Sequence, residues 1–403
     1  MREVHIVGAG VAGLTAALAL QQRGWRVRVL EKAAAITEVG AGVQISPNGV
    51  KALRALGLEQ AIAASAFEPE TFSFRLGRSG REIFSVPTKA AMRRRFGAPY
   101  LQIHRADLIE TLRAALEDRA PRAVEVGVEV RGYQVTGGRA VTRLADGRSL
   151  EADLLIGADG VRSQIQATMI GPQTPRFTGN VAWRAVVPMS ALKGFDIPQG
   201  PCIWAGPGRH AVTYPLRPKT HPGGGLLNFV GVVEQEGWEV ESWTERAPHA
   251  VAQADFAGWS PLIERVLAQA PAHFRWALFD RAPLSRWCDG PVALMGDAAH
   301  PMLPTLAQGA CQAIEDAWVL AAKVSEIAAA GEGLPRALEA YEAARKPRTS
   351  RVQKGARDNA RLFHHRSRIA AFRAYAPIWL ATRLAPSILL TRNRWIYGHD
   401  VTA

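Results

Sequence analysis

Two side chains able to move or hold a proton stand four residues apart in a β-favouring run, His210 and Tyr214 within Arg209-His210-Ala211-Val212-Thr213-Tyr214-Pro215-Leu216. On a strand, alternate residues share a face, so His210, Val212, Tyr214 and Leu216 point one way. At about 3.3 Å per residue the two Cα atoms lie about 13 Å apart, room for one aromatic ring between the side chains. An imidazole titrates near neutral pH and is suited to general acid–base work, though a histidine on such a face also serves as a satisfied core or surface group.

A second constellation lies at the start of the chain. Val4 to Val7 form an apolar run that enters Gly8-Ala9-Gly10-Val11-Ala12-Gly13, followed by the small, helix-favouring run Leu14 to Leu20 and a strand from Arg26 to Leu30 that Glu31 closes. This order of strand, tight turn, helix, strand and acid is that of a dinucleotide fold. Gly8 permits the turn, Gly10 lets backbone approach a pyrophosphate, and Gly13 allows close helix packing. The helix N-terminus offers N–H groups to phosphate, and Glu31 suits ribose hydroxyls. A lone glycine pattern is weak, and even this complete unit does not distinguish FAD from NAD.

Two later strands run into polar, glycine-containing turns: Asp153 to Ile156 into Gly157-Ala158-Asp159-Gly160, and Pro291 to Met295 into Gly296-Asp297-Ala298-Ala299-His300-Pro301, with a helix from Gly309. Each alone is either a packed strand-to-helix turn or a place where backbone meets a ligand. Taken with the first turn, they resemble the three motifs of the class A flavoprotein aromatic hydroxylases, in the right order over nearly the whole chain. The similarity is greatest to the group containing salicylate hydroxylase, 3-hydroxybenzoate 6-hydroxylase and 6-hydroxynicotinate 3-monooxygenase.

The resemblance implies FAD as cofactor, NADH or NADPH as reductant and O2 as co-substrate, with a flavin hydroperoxide hydroxylating a small aromatic carboxylate or phenol. It places Gly8, Gly10, Ala12 and Gly13 at the phosphates, Glu31 and Lys32 at the adenosine ribose, and Val128 near the adenine. Arg105, Asp159, Gly296 and Asp297 follow along the cofactor, and Gly309 and Ala310 offer N–H groups to the flavin ring. Arg105 read alone is an ordinary solvated helix start, and Val128 an apolar strand residue with an equal claim to the core. Gly40 to Asn48, with Val43, resembles the loop beside the flavin. By the same resemblance His210 accepts the phenol proton and Tyr214 positions the ring. Trp183 and Arg184 could supply an aromatic wall and a cation for a carboxylate, or be an ordinary sheet pair. Pro304 and Thr305 stand where the named relatives carry a glutamine and a histidine, so substrate identity is open.

The elements that must hold these residues make an α/β chain. The expectation is a discontinuous Rossmann-like FAD-binding domain (1–72, 97–175 and 278–335), a mixed β-sheet substrate domain (73–96 and 176–277) and C-terminal helices (336–403). At 403 residues the chain is long enough for more than one unit. Its net charge of +13 would suit an anionic cofactor, a carboxylate, lipid or nucleic acid, but no nucleic-acid motif accompanies it. Three widely spaced cysteines, Cys202, Cys288 and Cys311, suggest neither a disulfide framework nor a metal site, and with no signal-peptide layout the chain reads as cytoplasmic. The tail from Ile369 to Leu390 is apolar but broken by Arg373, Pro377, Arg383 and Pro386, which predicts packing or interfacial contact rather than a membrane span. A monomer or homodimer is expected. Two alternatives stand beside the hydroxylase: a membrane-associated hydroxylase of a ubiquinone precursor, and a non-catalytic prenyl-protein carrier of the same fold.

Overall fold

The structure, a computed structural model, describes residues 2–36, 42–219, 224–237, 248–329, 333–365, 367–386 and 388–403. Among them, the first strand, Glu3–Val7, lies inside a six-stranded sheet, between Arg26–Glu31 on one side and Leu154–Gly157 on the other, both parallel to it. Val292–Leu294 extends the sheet beyond Leu154–Gly157, again in parallel. Strand order thus reverses at Glu3–Val7, and the carboxyl ends of these strands frame a crevice of the kind in which α/β folds bind ligands. Val4, Ile6, Leu14, Leu18 and Leu30 are inaccessible or nearly so. They pack the helix Val11–Gln21 onto this sheet, and Gly309–Ala329 packs in turn on that helix.

A seven-stranded mixed sheet runs in the order Phe274–Asp280, Arg176–Pro188, Leu226–Glu234, Arg209–Leu216, Cys202–Gly206, Thr71–Leu76, Glu82–Pro87. Its pairs are antiparallel except Cys202–Gly206 with Thr71–Leu76. One face buries Trp183, Trp204 and Phe229 against Phe256, Leu262, Ile263 and Val266 of the helices that follow. The other face turns His210, Val212, Tyr214, Val230 and Trp276 toward a cavity shared with the first sheet's crevice.

Behind that cavity runs the helix Leu334–Phe363, packed on Gly309–Ala329. The next helix, Arg368–Leu384, seats Tyr375 against Phe74 at 5.0 Å between ring centroids, while Phe372 and Leu384 stay exposed. The expected packed tail is therefore packed on one side only. Among the described residues no helix is long and apolar enough to cross a membrane. The architecture is the α/β arrangement expected, a Rossmann-like unit assembled from separated segments, a mixed sheet and helices at the C-terminus.

Candidate active site

A single cavity of about 580 Å³ extends from Glu31 and Lys32 at one end to Arg184, His210, Tyr214 and Trp276 at the other. At the first end the glycines act through sterics. Gly8 has φ +102°, and a Cβ there would lie 2.6 Å from the Ala158 carbonyl oxygen. A Cβ on Gly13 would fall 1.9 Å from the Gly8 oxygen, so this glycine serves packing and does not itself line the cavity. Gly10 caps the helix Val11–Gln21 in an extended conformation with no side-chain cap, and a Cβ there would meet nothing within 4 Å. The open side of the turn is therefore the cavity side, where the first helical N–H groups lack intrahelical acceptors.

Glu31 holds the turn from the next strand. Its carboxylate accepts from Ala9 N at 2.8 Å and Ala33 N at 2.9 Å. Val128 lines the cavity beside it and donates its N–H to Glu31 O at 2.9 Å. Val128 is not a strand residue, however. Gly127, at φ +72°, ends the strand Val124–Val126 and leaves Val128 in the connector to Val130–Thr136.

Asp159 lines the cavity but also caps the helix Gln164–Ile170, accepting from Ser163 Oγ at 2.5 Å and Gln164 N at 2.7 Å. Burial raises its pKa, against the pull of those bonds. Gly296, at φ +57°, stands behind the wall, where a Cβ would lie 3.0 Å from that of Ala12. Ala12, Val43, Arg105, Asp297, Gly309 and Ala310 all line the cavity. Ala307, next to them, holds φ +51°, a left-handed conformation sparsely populated by residues with a Cβ. Of the loop Gly40 to Asn48, Gly40 and Ala41 lie outside the described residues. An uncapped helix N-terminus, a close-packed glycine turn and an acid at the next strand's end fit an adenine dinucleotide, and the opening turn of Gly309–Ala329 offers N–H groups at the far end.

At that far end, strand alternation sorts the chain. His210, Val212 and Tyr214 face the cavity, while Ala211 packs in the opposite core and Thr213 accepts from Trp204 Nε1 at 2.9 Å. The same alternation separates Trp183 from Arg184. Trp183 is fully buried on the far face, donating to Asp255 Oδ2 at 2.7 Å, so the expected aromatic wall is not Trp183. Trp276 of the neighbouring strand takes that place, with the Arg184 guanidinium 4.7 Å from its ring centroid. Pro304 and Thr305 line the cavity, but the Thr305 hydroxyl donates to the Ala356 carbonyl.

His210 also departs from expectation. Its pKa does not stay near neutrality, because burial, and then the neighbouring His364, push it well below the usual imidazole value. The resting ring is thereby kept neutral, and the same burial opposes its carrying a charge. Tyr214 donates its hydroxyl to the Gly42 carbonyl at 2.7 Å, and Gly42 N donates to Asn228 Oδ1 at 2.9 Å.

A buried ionic network behind the cavity escaped the sequence reading. Arg345 reaches Asp316 Oδ1 at 2.7 Å and Glu315 Oε2 at 2.5 Å, and all three side chains are essentially inaccessible. Asp316 Oδ2 also accepts from Gly296 N at 3.0 Å and lies 2.5 Å from His300 Nε2. Arg348 and Asn48 complete the shell of Glu315. Burial acts to raise both carboxyls, but Arg345 and Arg348 at Glu315, and His300 and Arg345 at Asp316, outweigh it and leave each at about 2. Adjacent acids within an apolar helix, with arginines three apart on another, were the available signal.

Comparisons with known proteins agree with this geometry. The FAD binding domain family matches residues 1–204 and 259–356. A 6-hydroxynicotinate 3-monooxygenase of Pseudomonas fluorescens is 34% identical over 99% of this chain and 95% of its own length. A 3-hydroxybenzoate 6-hydroxylase of Aquipseudomonas alcaligenes is 35% identical, covering 98% of each chain. Among solved structures, HpxO of Klebsiella pneumoniae, complexed with FAD and uric acid, superposes with a TM-score of 0.82 at 27% identity, covering 98% of this chain and 96% of that one. Neither a ubiquinone-pathway hydroxylase nor a prenyl-protein carrier is supported by these relatives.

Proposed function

This chain belongs to the FAD binding domain family and is a flavin-dependent aromatic monooxygenase, and on that premise we propose that it hydroxylates a small phenolic or hydroxypyridine carboxylic acid held between Arg184, His210 and Tyr214. The observation that carries this reading is that these three residues line the same cavity as the Gly8 to Ala12 turn. The chain uses FAD, with NADH or NADPH as reductant and O2 as co-substrate.

Bound FAD supplies the redox and oxygen chemistry. The protein's part is placement and proton handling. In this proposal Gly10, Ala12 and the helix N-terminus receive the pyrophosphate, with Gly8 and Gly13 shaping the turn; Glu31 and Lys32 take the ribose and Val128 the adenine edge. Arg105, Asp159 and Asp297 hold the middle of the cofactor, Gly296 sets the turn before Asp297, and Val43, Gly309 and Ala310 meet the flavin. Arg184, steadied on Trp276, binds the substrate carboxylate, since a guanidinium offers a planar pair of donors. His210 accepts the phenol proton, which makes the ring more nucleophilic. Pro304 and Thr305 form the opposite wall and limit substrate shape.

We assign cofactor binding to residues 1–72, 97–175 and 278–335, substrate contact to 73–96 and 176–277, and a backing role to 336–403. We place the chain in the cytoplasm, where thiols such as those of Cys202, Cys288 and Cys311 stay reduced, and take it to act as a monomer or homodimer.

The test is a screen of 3-hydroxybenzoate, 6-hydroxynicotinate, salicylate and 3-amino-4-hydroxybenzoate for stimulated NADH and NADPH oxidation, with product analysis. One acid should yield a hydroxylated product. His210→Ala should lower that product's formation roughly 100-fold or more while FAD content holds. Equal loss of FAD and activity would remove the catalytic assignment.

A further inference from the structure

His210 is the inner end of a chain of three side chains drawn from three elements. His210 Nδ1 lies 2.6 Å from His364 Nε2, and His364 Nδ1 lies 3.1 Å from Glu234 Oε1. The first member lines the cavity and is 2% exposed, the second has a side chain 6% exposed, and the third is 29% exposed. The row therefore leads from the buried cavity toward solvent. His364 caps the C-terminal end of the long helix Leu334–Phe363, and Glu234 ends the strand paired with that of His210. Phe363 packs edge-on against His210 with centroids 5.1 Å apart, which fixes the imidazole plane.

We propose that Glu234, His364 and His210 form a proton relay that carries the substrate's phenolic proton from the cavity to bulk water, with His364 and Glu234 as positioning residues supplied from outside the cavity. The proposal rests on the reading of His210 as the base. It gives the end of the Leu334–Phe363 helix a part in the reaction.

The arrangement dictates the tautomers. An ionised carboxylate only accepts, so His364 carries its proton on Nδ1 toward Glu234. His364 Nε2 is then an acceptor, and the 2.6 Å contact requires the proton on His210 Nδ1. His210 Nε2 is left with the lone pair, as a base requires. In the relay, the substrate O–H bond breaks as an N–H bond forms at His210 Nε2. The Nδ1 proton of His210 moves to His364 Nε2, the Nδ1 proton of His364 moves to Glu234, and Glu234 releases it to water. One proton crosses, no electrons are transferred, and both rings end neutral in the opposite tautomer. The reverse sequence returns a proton to the product and restores the start. Neither imidazole has to remain charged in its buried position, where desolvation would oppose it.

Holoenzyme labelled with 15N in its histidine rings decides the matter without a substrate. The expected spectrum has His210 and His364 protonated on Nδ1, with the shared proton strongly downfield. Glu234→Leu, which removes the acceptor, should lose this order, whereas Glu234→Gln, whose amide oxygen still accepts from His364 but cannot take up its proton, should keep it, so that a merely structural role would leave proton release in Glu234→Gln unchanged. Proton release is then followed with a pH-indicator dye after mixing with the screened acid that gives most product. Release should slow about tenfold or more in His364→Gln and Glu234→Gln, with FAD content unchanged. Wild-type His210 protonated on Nε2, or release at the wild-type rate in both variants, overturns the relay. If His210→Asn alone is slow, the base assignment survives that failure. If His210→Asn also releases at the wild-type rate, the base assignment falls with it.

Discussion

The hydroxyl of Tyr214 donates to the carbonyl oxygen of Gly42 at 2.7 Å, while a Cβ on Gly42 would lie 2.3 Å from the Tyr214 ring. Gly42, the first residue of the strand Gly42–Ile45, is thus clamped to the mixed sheet through both its carbonyl and its N–H, since Gly42 N is held by Asn228 on the strand next to Tyr214. The contact joins the wall expected to hold the flavin to the wall expected to hold the substrate.

Tyr214→Phe should keep the ring but leave the half-buried Gly42 carbonyl without this donor, a loss of about 1 kcal/mol. The expected result is a lower melting temperature and a larger share of NAD(P)H oxidation ending in peroxide. Gly42→Ala should be worse on both counts, because the methyl displaces the ring. Unchanged coupling in both variants would show that the clamp has no bearing on the reaction.

Arg184 stands on Trp276, and the pair predicts a carboxylate requirement. Arg184→Met should raise KM for an aromatic acid by roughly 10- to 100-fold, the range for a lost charge-assisted hydrogen bond. The corresponding phenol without a carboxylate should lose little. Arg184→Lys should restore only part of the affinity, because an ammonium lacks the planar fork. Steady-state kinetics with the acid and the phenol side by side will show whether the effect follows the carboxylate.

Gly13→Ala places a methyl 1.9 Å from the Gly8 oxygen. No side-chain rotation relieves a clash with backbone, so helix and strand must separate. Protein purified from this variant should carry little or no FAD by absorbance. Gly10→Ala, whose Cβ meets no protein atom within 4 Å, should fold normally and weaken FAD binding alone.

Acid stability follows from Glu315 and Asp316. Both carboxyls are held at about 2 in the folded protein, below their unfolded values near 4. A depressed acid contributes stability above the unfolded pKa and loses it as pH falls toward the folded one, so the steepest loss should lie between about pH 4.5 and pH 2. His210, also depressed, adds an earlier loss as pH falls below about 6.5, because only the unfolded imidazole takes up a proton there. Arg345→Met leaves two buried carboxylates short of a cation and should cost about 3–5 kcal/mol at neutral pH. Denaturant melts of both proteins across this pH range will separate these contributions, and a variant with the wild-type acid profile would refute the account.

Local rules made much of this legible from residue order. The turn from Gly8 to Gly13 with Glu31 closing the next strand, and the facing of His210 with Tyr214, depend on steric limits and the two-residue period of a strand, which act between near neighbours. The same period sets the neighbours Trp183 and Arg184 on opposite faces, so only Arg184 reaches the cavity and the reading of the two as an aromatic wall and a cation holds for the cation alone. Trp276 could replace Trp183 only through strand pairing, which no local pattern reveals. Val128 illustrates the opposite error, a glycine at left-handed φ having ended a strand that its composition favoured. His364, about 150 residues from His210, and the Arg345 network reach the site because the Leu334–Phe363 helix folds back behind the cavity. Burial there displaced the His210 pKa and fixed its partner. The turn proposed to receive the dinucleotide is thus written within one short stretch of chain, whereas the environment of His210 arises from long-range packing, in which distant side chains lose water and must satisfy one another.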